Sequence, residues 1–257
     1  MIVICVGDSY TDGTELWEEQ NVPGYCLMTP DIARSSMVYN PTTDVLRKDL
    51  TYTGFMKEMR TDWSIHNFGK GGASQQMITE NMFNNFVRIR MEYPNEKIIC
   101  VTQDTFRNRM TFCSSQKYQL EGLNVDKIDI HMNNYPETSE LVSYIKKFID
   151  EETLATQFYS QAFIIRDFFK KLNISFLNFS FYNHAYTYRF DMSEKIRAMK
   201  SEYMKTVDIF PMGALQRAYD YYRIKEKDAV LPSWHLKGQY HEIIANDLIE
   251  YVEDKFL

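Results

Sequence analysis

The sequence predicts an α/β fold: a three-layer α/β/α arrangement around a mostly parallel five-stranded sheet. Three observations predict it. Short apolar runs rich in β-branched residues alternate with longer segments of helical period. The runs are nearly continuous in apolar character, as strands covered on both faces require; a half-exposed strand would alternate apolar with polar. Strand alternating with helix implies right-handed βαβ crossovers, which put helices on both faces of a sheet.

Five segments are read as strands: "IVICV" (2–6), "WSIHNF" (63–68), "KIICVT" (97–102), "ISFLNFS" (174–180) and the weaker "TVDIF" (206–210). Helical spacing of apolar residues marks 53–59, 75–93, 152–172, 213–224 and 238–257. No internal repeat, low-complexity tract or Pro/Gly linker divides the 257 residues, so the expectation is one domain over 1–257. Two segments break the rhythm, at about 14–50 and 108–140, and are read as insertions. Loops of that length tend to serve as lids or binding walls.

Composition narrows the function classes. A net charge of −6 argues against a nucleic-acid-binding surface, which needs clustered Lys and Arg to neutralise phosphates. No run approaches the eighteen or so apolar residues of a membrane span. "MIVICVG" is too short for a signal-peptide core and lacks a basic start, so the expectation is synthesis in the cytoplasm, with the final location open. The four Cys show no CxxC spacing, and the five His form no HxxxH or Cys/His cluster. These counts argue for a reducing compartment and against a structural metal.

In an open parallel sheet the functional crevice lies outside the carboxyl ends of the strands. After the first run comes Gly7-Asp8-Ser9, after the second "NFGKGGAS" (67–74), and after the third "TQDTFRNR" (102–109). "PSWHLKGQYH" (232–241) precedes the last helix. Small, polar and glycine-rich residues thus gather at one rim with a serine and a histidine. Nucleophilic acyl chemistry needs this set: a hydroxyl, a base for its proton, and backbone N–H groups for an oxyanion. In isolation Ser9 would read as a helix N-cap. The glycines at 69, 71 and 72 are not followed by the Lys-Ser/Thr of a phosphate loop, which excludes a nucleotide site of that kind.

The four segments, in this order, resemble the sequence blocks of the SGNH (GDSL-type) hydrolases. "GDSYTDG" is similar to the first block, "NFGKGGAS" to the second, and "HLKGQYHEIIANDL" to the last. The resemblance implies a flavodoxin-like sheet and a serine esterase with no cofactor and no metal. It implies Ser9 as nucleophile and His235 as base. The N–H groups of Ser9 and Gly72 would form the oxyanion hole, and His241 would take a structural role. Two blocks depart from the family pattern. Gln103 stands where the family has the Asn of G-x-N-D, so it is the expected third oxyanion donor, with Arg107 and Asn108 as rivals. Pro232 stands where D-x-x-H places the triad Asp. Asp228 or a backbone carbonyl at 231–233 could partner His235, or Ser9 and His235 could act as a dyad.

Asp8 is read as a carboxylate accepting loop N–H bonds, and Asp104 as a brace for its loop. Trp17, Tyr25, Arg107 and Trp234 are the expected substrate-binding residues. The substrate expected is a small-molecule or glycan ester, an O-acyl group on a carbohydrate among them. Two alternatives stand beside hydrolysis: acyl transfer from the same site, and a non-catalytic binding protein on the same fold. The oligomeric state is open.

Overall fold

The computed structural model describes residues 1–13, 16, 49–71, 73–105, 109–120, 123–131, 150–182, 193–225, 228 and 236–257; for Ser9, Glu151, 109–120 and 123–131 it describes the backbone. Four strands form a sheet: β1 (Ile2–Val6), β2 (Ser64–Asn67), β3 (Ile98–Asp104) and, late in the chain, β6 (Ser175–Ser180). Their order is β2-β1-β3-β6, and every pairing is parallel.

Alternation along the strands explains the three layers. Val3 and Cys5 of β1 face one side, with Ile99 and Val101 of β3 and Leu177 and Phe179 of β6. Against them pack helices α2 (Tyr52–Met59), α6 (Ala214–Tyr222) and α7 (His241–Phe256). Ile2, Ile4 and Val6 face the other side with Ile98 and Cys100. That side is covered by α3 (Gln75–Glu92) and α4 (Glu151–Lys171). Every residue of β1 is therefore buried, which is why its sequence shows no polar position.

Local chemistry starts the helices where the pattern expects them. Ser74 caps α3 by accepting the Met77 N–H, and Asp150 caps α4 by accepting the Thr153 N–H at 2.7 Å. One helix was not expected from the sequence: α5 (Glu194–Thr206), capped by Ser193 and lying against α4 through Ile196 and Tyr203. Its signal was present in Ile196, Met199 and Tyr203, one stripe at helical spacing.

Two expectations are corrected. Among the described residues the parallel sheet has four strands, not five, because 206–210 forms none. There the Asp208 N–H meets the Asn178 carbonyl, but it is the Asp208 carboxylate, not a neighbouring carbonyl, that accepts the Asn178 N–H at 2.9 Å. Phe210 then adopts φ 59°, a left-handed conformation that no strand continues through. The segment expected as a loop insertion at 108–140 contains an antiparallel hairpin of β4 (Arg109–Leu120) and β5 (Leu123–His131). Of the insertion at 14–50, only Leu16 and residues 49–50 fall within the described residues. No helix among the described residues is long and apolar enough to cross a membrane.

Candidate active site

β1 and β3 are adjacent, yet the chain leaves β1 toward β2 on one side and returns to β3 on the other. Their carboxyl ends therefore mark a topological switch point, where open α/β sheets place their sites. Gly7, Asp8 and Ser9 follow β1 directly, and Ser9 begins a four-residue helix, α1 (Ser9–Asp12). Asp8 caps that helix. Its Oδ1 accepts the Tyr10 N–H at 3.1 Å, and its carbonyl accepts the N–H groups of Thr11 and Asp12.

Gln103, fully buried at the end of β3, closes the switch point. Its Oε1 accepts the Asp8 N–H at 3.2 Å and the Thr11 hydroxyl at 2.8 Å. Its Nε2 donates to Asp8 Oδ1 at 2.9 Å and to the Asp104 carbonyl at 3.0 Å. Thr105 Oγ1 donates to the other Asp8 oxygen at 2.8 Å. Both hydrogens of the Gln103 amide are thus engaged inside the protein, whereas the sequence expectation aimed them at an oxyanion. Gly7 permits this approach. A Cβ there would lie 2.2 Å from Thr11 Oγ1 and 2.5 Å from Gln103 Oε1.

The β2 end is strapped to the same helix. Asn67 Nδ2 donates to the Thr11 carbonyl at 2.6 Å and to Thr53 Oγ1 at 2.8 Å, and its Oδ1 accepts the Gly69 N–H. Asp12 Oδ2 accepts the Gly71 N–H at 3.2 Å. Gly69 lies so close that a Cβ would sit 2.5 Å from the Asp12 nitrogen. The loop up to Gly71 is therefore built onto α1.

Behind the switch point lies Asp104, fully buried. Gln75 Nε2 donates to its Oδ1 at 2.7 Å, while Asn178 Nδ2 and the Tyr203 hydroxyl donate to its Oδ2 at 3.1 and 2.6 Å. Burial pushes its pKa up to about 6 despite those hydrogen bonds, and nearby Asp208 adds to the rise. Burial likewise drives the Tyr203 and Tyr52 hydroxyls well above their ordinary range.

His241 is buried at the start of α7, where its Nδ1 accepts the Tyr52 N–H at 3.2 Å. Neutral His241 therefore carries its proton on Nε2. The Tyr52 hydroxyl lies 3.0 Å from Thr11 Oγ1, so the last block reaches α1 through one tyrosine. Leu236 is buried in the core cluster that holds Tyr10, Tyr52 and Phe181.

Of the site residues expected from the sequence, Asp8, Gln103, the backbone of Ser9, and the loop 67–71 come together at one rim. Asp228 is exposed, with its carbonyl accepting from Lys237 Nζ at 3.0 Å. Gly72, His235, Trp17, Tyr25, Arg107, Trp234, Asn108 and Pro232 lie outside the described residues. Among the described residues, no group of three or more His, Cys, Asp and Glu could hold a metal ion. Sequence reasoning missed Gln75, Thr105, Asn178 and Tyr203. Asn178 carried a signal, a lone amide inside the apolar run "SFLNFSF"; Tyr203 carried none, since a tyrosine in an apolar stripe reads as core.

No protein-family model matches the chain, and no curated protein matches it. Solved structures that it is similar to include a lipolytic protein of the G-D-S-L family from Desulfitobacterium hafniense DCB-2, at 10% identity and TM-score 0.45, with 97% of this chain and 98% of that chain covered. The acetyl xylan esterase AlAXEase is similar at 13% identity and TM-score 0.48, covering 98% and 100%. LAE5, an alpha/beta hydrolase enzyme from the metagenome of Lake Arreo, Spain, is similar at 10% identity and TM-score 0.49, covering 98% and 94%. The fold assignment rests on the strand order and layers described above. The chain resembles the SGNH (GDSL-type) hydrolases in its ordered sequence blocks, and proteins bearing that family's name are among the structures it is similar to.

Proposed function

We propose that this chain is an SGNH-type serine hydrolase that cleaves an ester, with O-acyl groups on carbohydrates as the substrate class to try first. One observation carries the reading. The turn bearing Ser9 sits at the β1–β3 switch point, clamped from behind by Gln103 and Thr105 through Asp8. Such a clamp holds a nucleophile on a rigid element, and fixed geometry is a large part of what an enzyme contributes to rate. The loop strapped to α1 by Asn67 and Asp12 leads into Gly72, and Leu236, beside His235, is buried against the same core.

His235 takes the Ser9 proton as the hydroxyl attacks the ester carbonyl, and the N–H groups of Ser9 and Gly72 hold the oxyanion. His235 then protonates the leaving alcohol. Water, deprotonated by the same imidazole, releases the acid and regenerates Ser9. Gln103 is a positioning residue in this scheme, since its amide is engaged with Asp8, Thr11 and Asp104. Asp228 is exposed, and a carboxylate in water does little to orient an imidazole. With Pro232 at the triad position, the reading is a Ser9–His235 dyad, alone or with a backbone carbonyl at 231–233 on the other ring nitrogen.

The test is hydrolysis of a chromogenic acetate ester by the wild type, Ser9→Ala and His235→Ala. Either substitution should take turnover down to background. Wild-type turnover no faster than buffer, toward both that ester and an acetylated oligosaccharide, would instead support a binding protein on this fold. Acyl product formed on an added alcohol in preference to hydrolysis would support transfer.

A further inference from the structure

Away from the rim, α3 and α4 carry apolar side chains on their outer surfaces. Phe83, Val87 and Met91 recur every four residues on α3; Ile164, Phe168 and Leu172 do the same along α4 and its C-cap. A spacing of four keeps side chains in one row along a helix. Val87, Met91, Ile164, Phe168 and Leu172 are all exposed, Met91 by 78%. Phe83 joins the two rows, its ring 4.7 Å from that of Phe168, edge to face. Single exposed apolar residues are ordinary on a protein surface, but a contiguous patch across two helices marks an interface. The patch lies toward the ends of α3 and α4 that lead into β3 and β6, opposite the rim that holds Ser9.

We propose that this face binds a second copy of the chain by two-fold antiparallel pairing of α4. A two-fold interface must be complementary to itself, and this row is. Pairing about Phe168 sets Ile164 of one copy against Leu172 of the other. Asp167 and Lys171, both exposed, flank the row one turn apart. Antiparallel pairing brings Asp167 of each copy near Lys171 of the other, whereas parallel pairing would set this flank against the partner's opposite flank and leave both charges without that partner. One acid and one base match their own reverse.

Size fits as well. With 18 and 21 residues, α3 and α4 are about 27 and 32 Å long at ~1.5 Å per residue, and helices pack roughly 10 Å apart. Their whole outer faces come to about 600 Å², under the roughly 800 Å² per partner of a standard interface, and the apolar rows fill about half of that. The dimer is accordingly weak and concentration-dependent, and it leaves both rims open. It does not depend on the hydrolase reading.

Sedimentation equilibrium of the full chain over a micromolar concentration series tests it. The wild type should show a monomer–dimer equilibrium. Phe168→Glu and Val87→Lys should each weaken the dimer about tenfold or more with an unchanged circular dichroism spectrum. Val87, 54% exposed, is the gentler of the two on the core. Asp167→Lys or Lys171→Asp alone should weaken dimerisation, and the two together should restore it. A monomer at every concentration, a dimer indifferent to both apolar-site variants, or a double exchange that restores nothing would overturn the proposal. So would a monomeric chain that binds phosphatidylcholine vesicles and loses that binding on Phe168→Glu.

Discussion

At the β1–β3 switch point, Asp8 is held by neutral donors among side chains almost wholly removed from water, whereas at the outer edge of the sheet, beside β6, Asp208 is held by a guanidinium. Gln103, Thr105 and the Tyr10 N–H serve the first; at the second, Arg166 forms a two-point pair at 2.9 and 3.0 Å. The side chains of that pair keep 26% and 13% of their surface in solvent. Asn178 touches both systems, donating its amide to Asp104 and accepting from Arg166 at 2.8 Å. The difference lies in what each tolerates. The inner cluster depends on an amide of one length, on Gly7, and on complete pairing in a medium where an orphaned polar group is costly. The outer pair relies on charge, which is less exacting about geometry and is partly relieved by water when broken.

Breaking the inner cluster should have the largest effect. Gln103→Leu removes the acceptor for the Asp8 N–H and a donor to its carboxylate, both buried. Urea unfolding should show a loss of about 3 kcal/mol or more, since the Thr11 hydroxyl and the Asp104 carbonyl lose a partner as well and an unsatisfied buried group costs roughly 1–3 kcal/mol. In the proposed enzyme, kcat for a chromogenic ester should fall about a hundredfold with KM little changed, because the Ser9 turn is no longer fixed. A drop in KM-controlled affinity with kcat intact would assign Gln103 to substrate contact.

Asp104 provides the second test. Its folded pKa of about 6 lies above the ordinary 3.8, with burial as the chief cause. Between those values the folded chain holds the proton and the unfolded chain has released it. Stability therefore falls as pH rises through this window, by about 1.4 kcal/mol per pH unit, and levels off above the folded value. The total is on the order of 3 kcal/mol. Unfolding curves measured from about pH 4 to about pH 7 should show this slope for the wild type and a flatter one for Asp104→Asn. Equal slopes would mean that Asp104 does not change its protonation on folding.

The smallest effect belongs to the outer edge. Arg166→Lys keeps the charge opposite Asp208 but loses the two-point geometry. Thermal unfolding should register a loss of about 1 kcal/mol, with the kinetics of the proposed enzyme unchanged. A loss as large as that of Gln103→Leu would erase the contrast between the two junctions.

How far the sequence could be read follows the same division. The strand "IVICV" is bounded at 2–6 by its apolar run alone, and α3 was legible because its buried residues recur at helical spacing behind a serine cap. "TVDIF" looks equally like a strand, yet Asp208 is drawn to Arg166, 42 positions earlier, and the ladder is not made. The hairpin at 109–131 also had a signal: in "LNVDKIDI" (123–130) apolar and polar residues largely alternate, as in a strand with one face exposed. For the site, ordered blocks located the rim but not what each side chain does there. Gln103 is an amide in the place of an amide, and nothing local reveals that its hydrogens turn inward to Asp8, 95 positions away.

The order of apolar runs and helical stripes determined the layered scaffold and the edge at which polar residues collect, because burial of apolar faces is dictated by periodicity within each segment. Only the tertiary structure decided which carboxylates share donors, which amide is committed, and which outer face remains uncovered. Those outcomes depend on contacts between residues far apart in the chain, where one ångström separates a hydrogen bond from a clash.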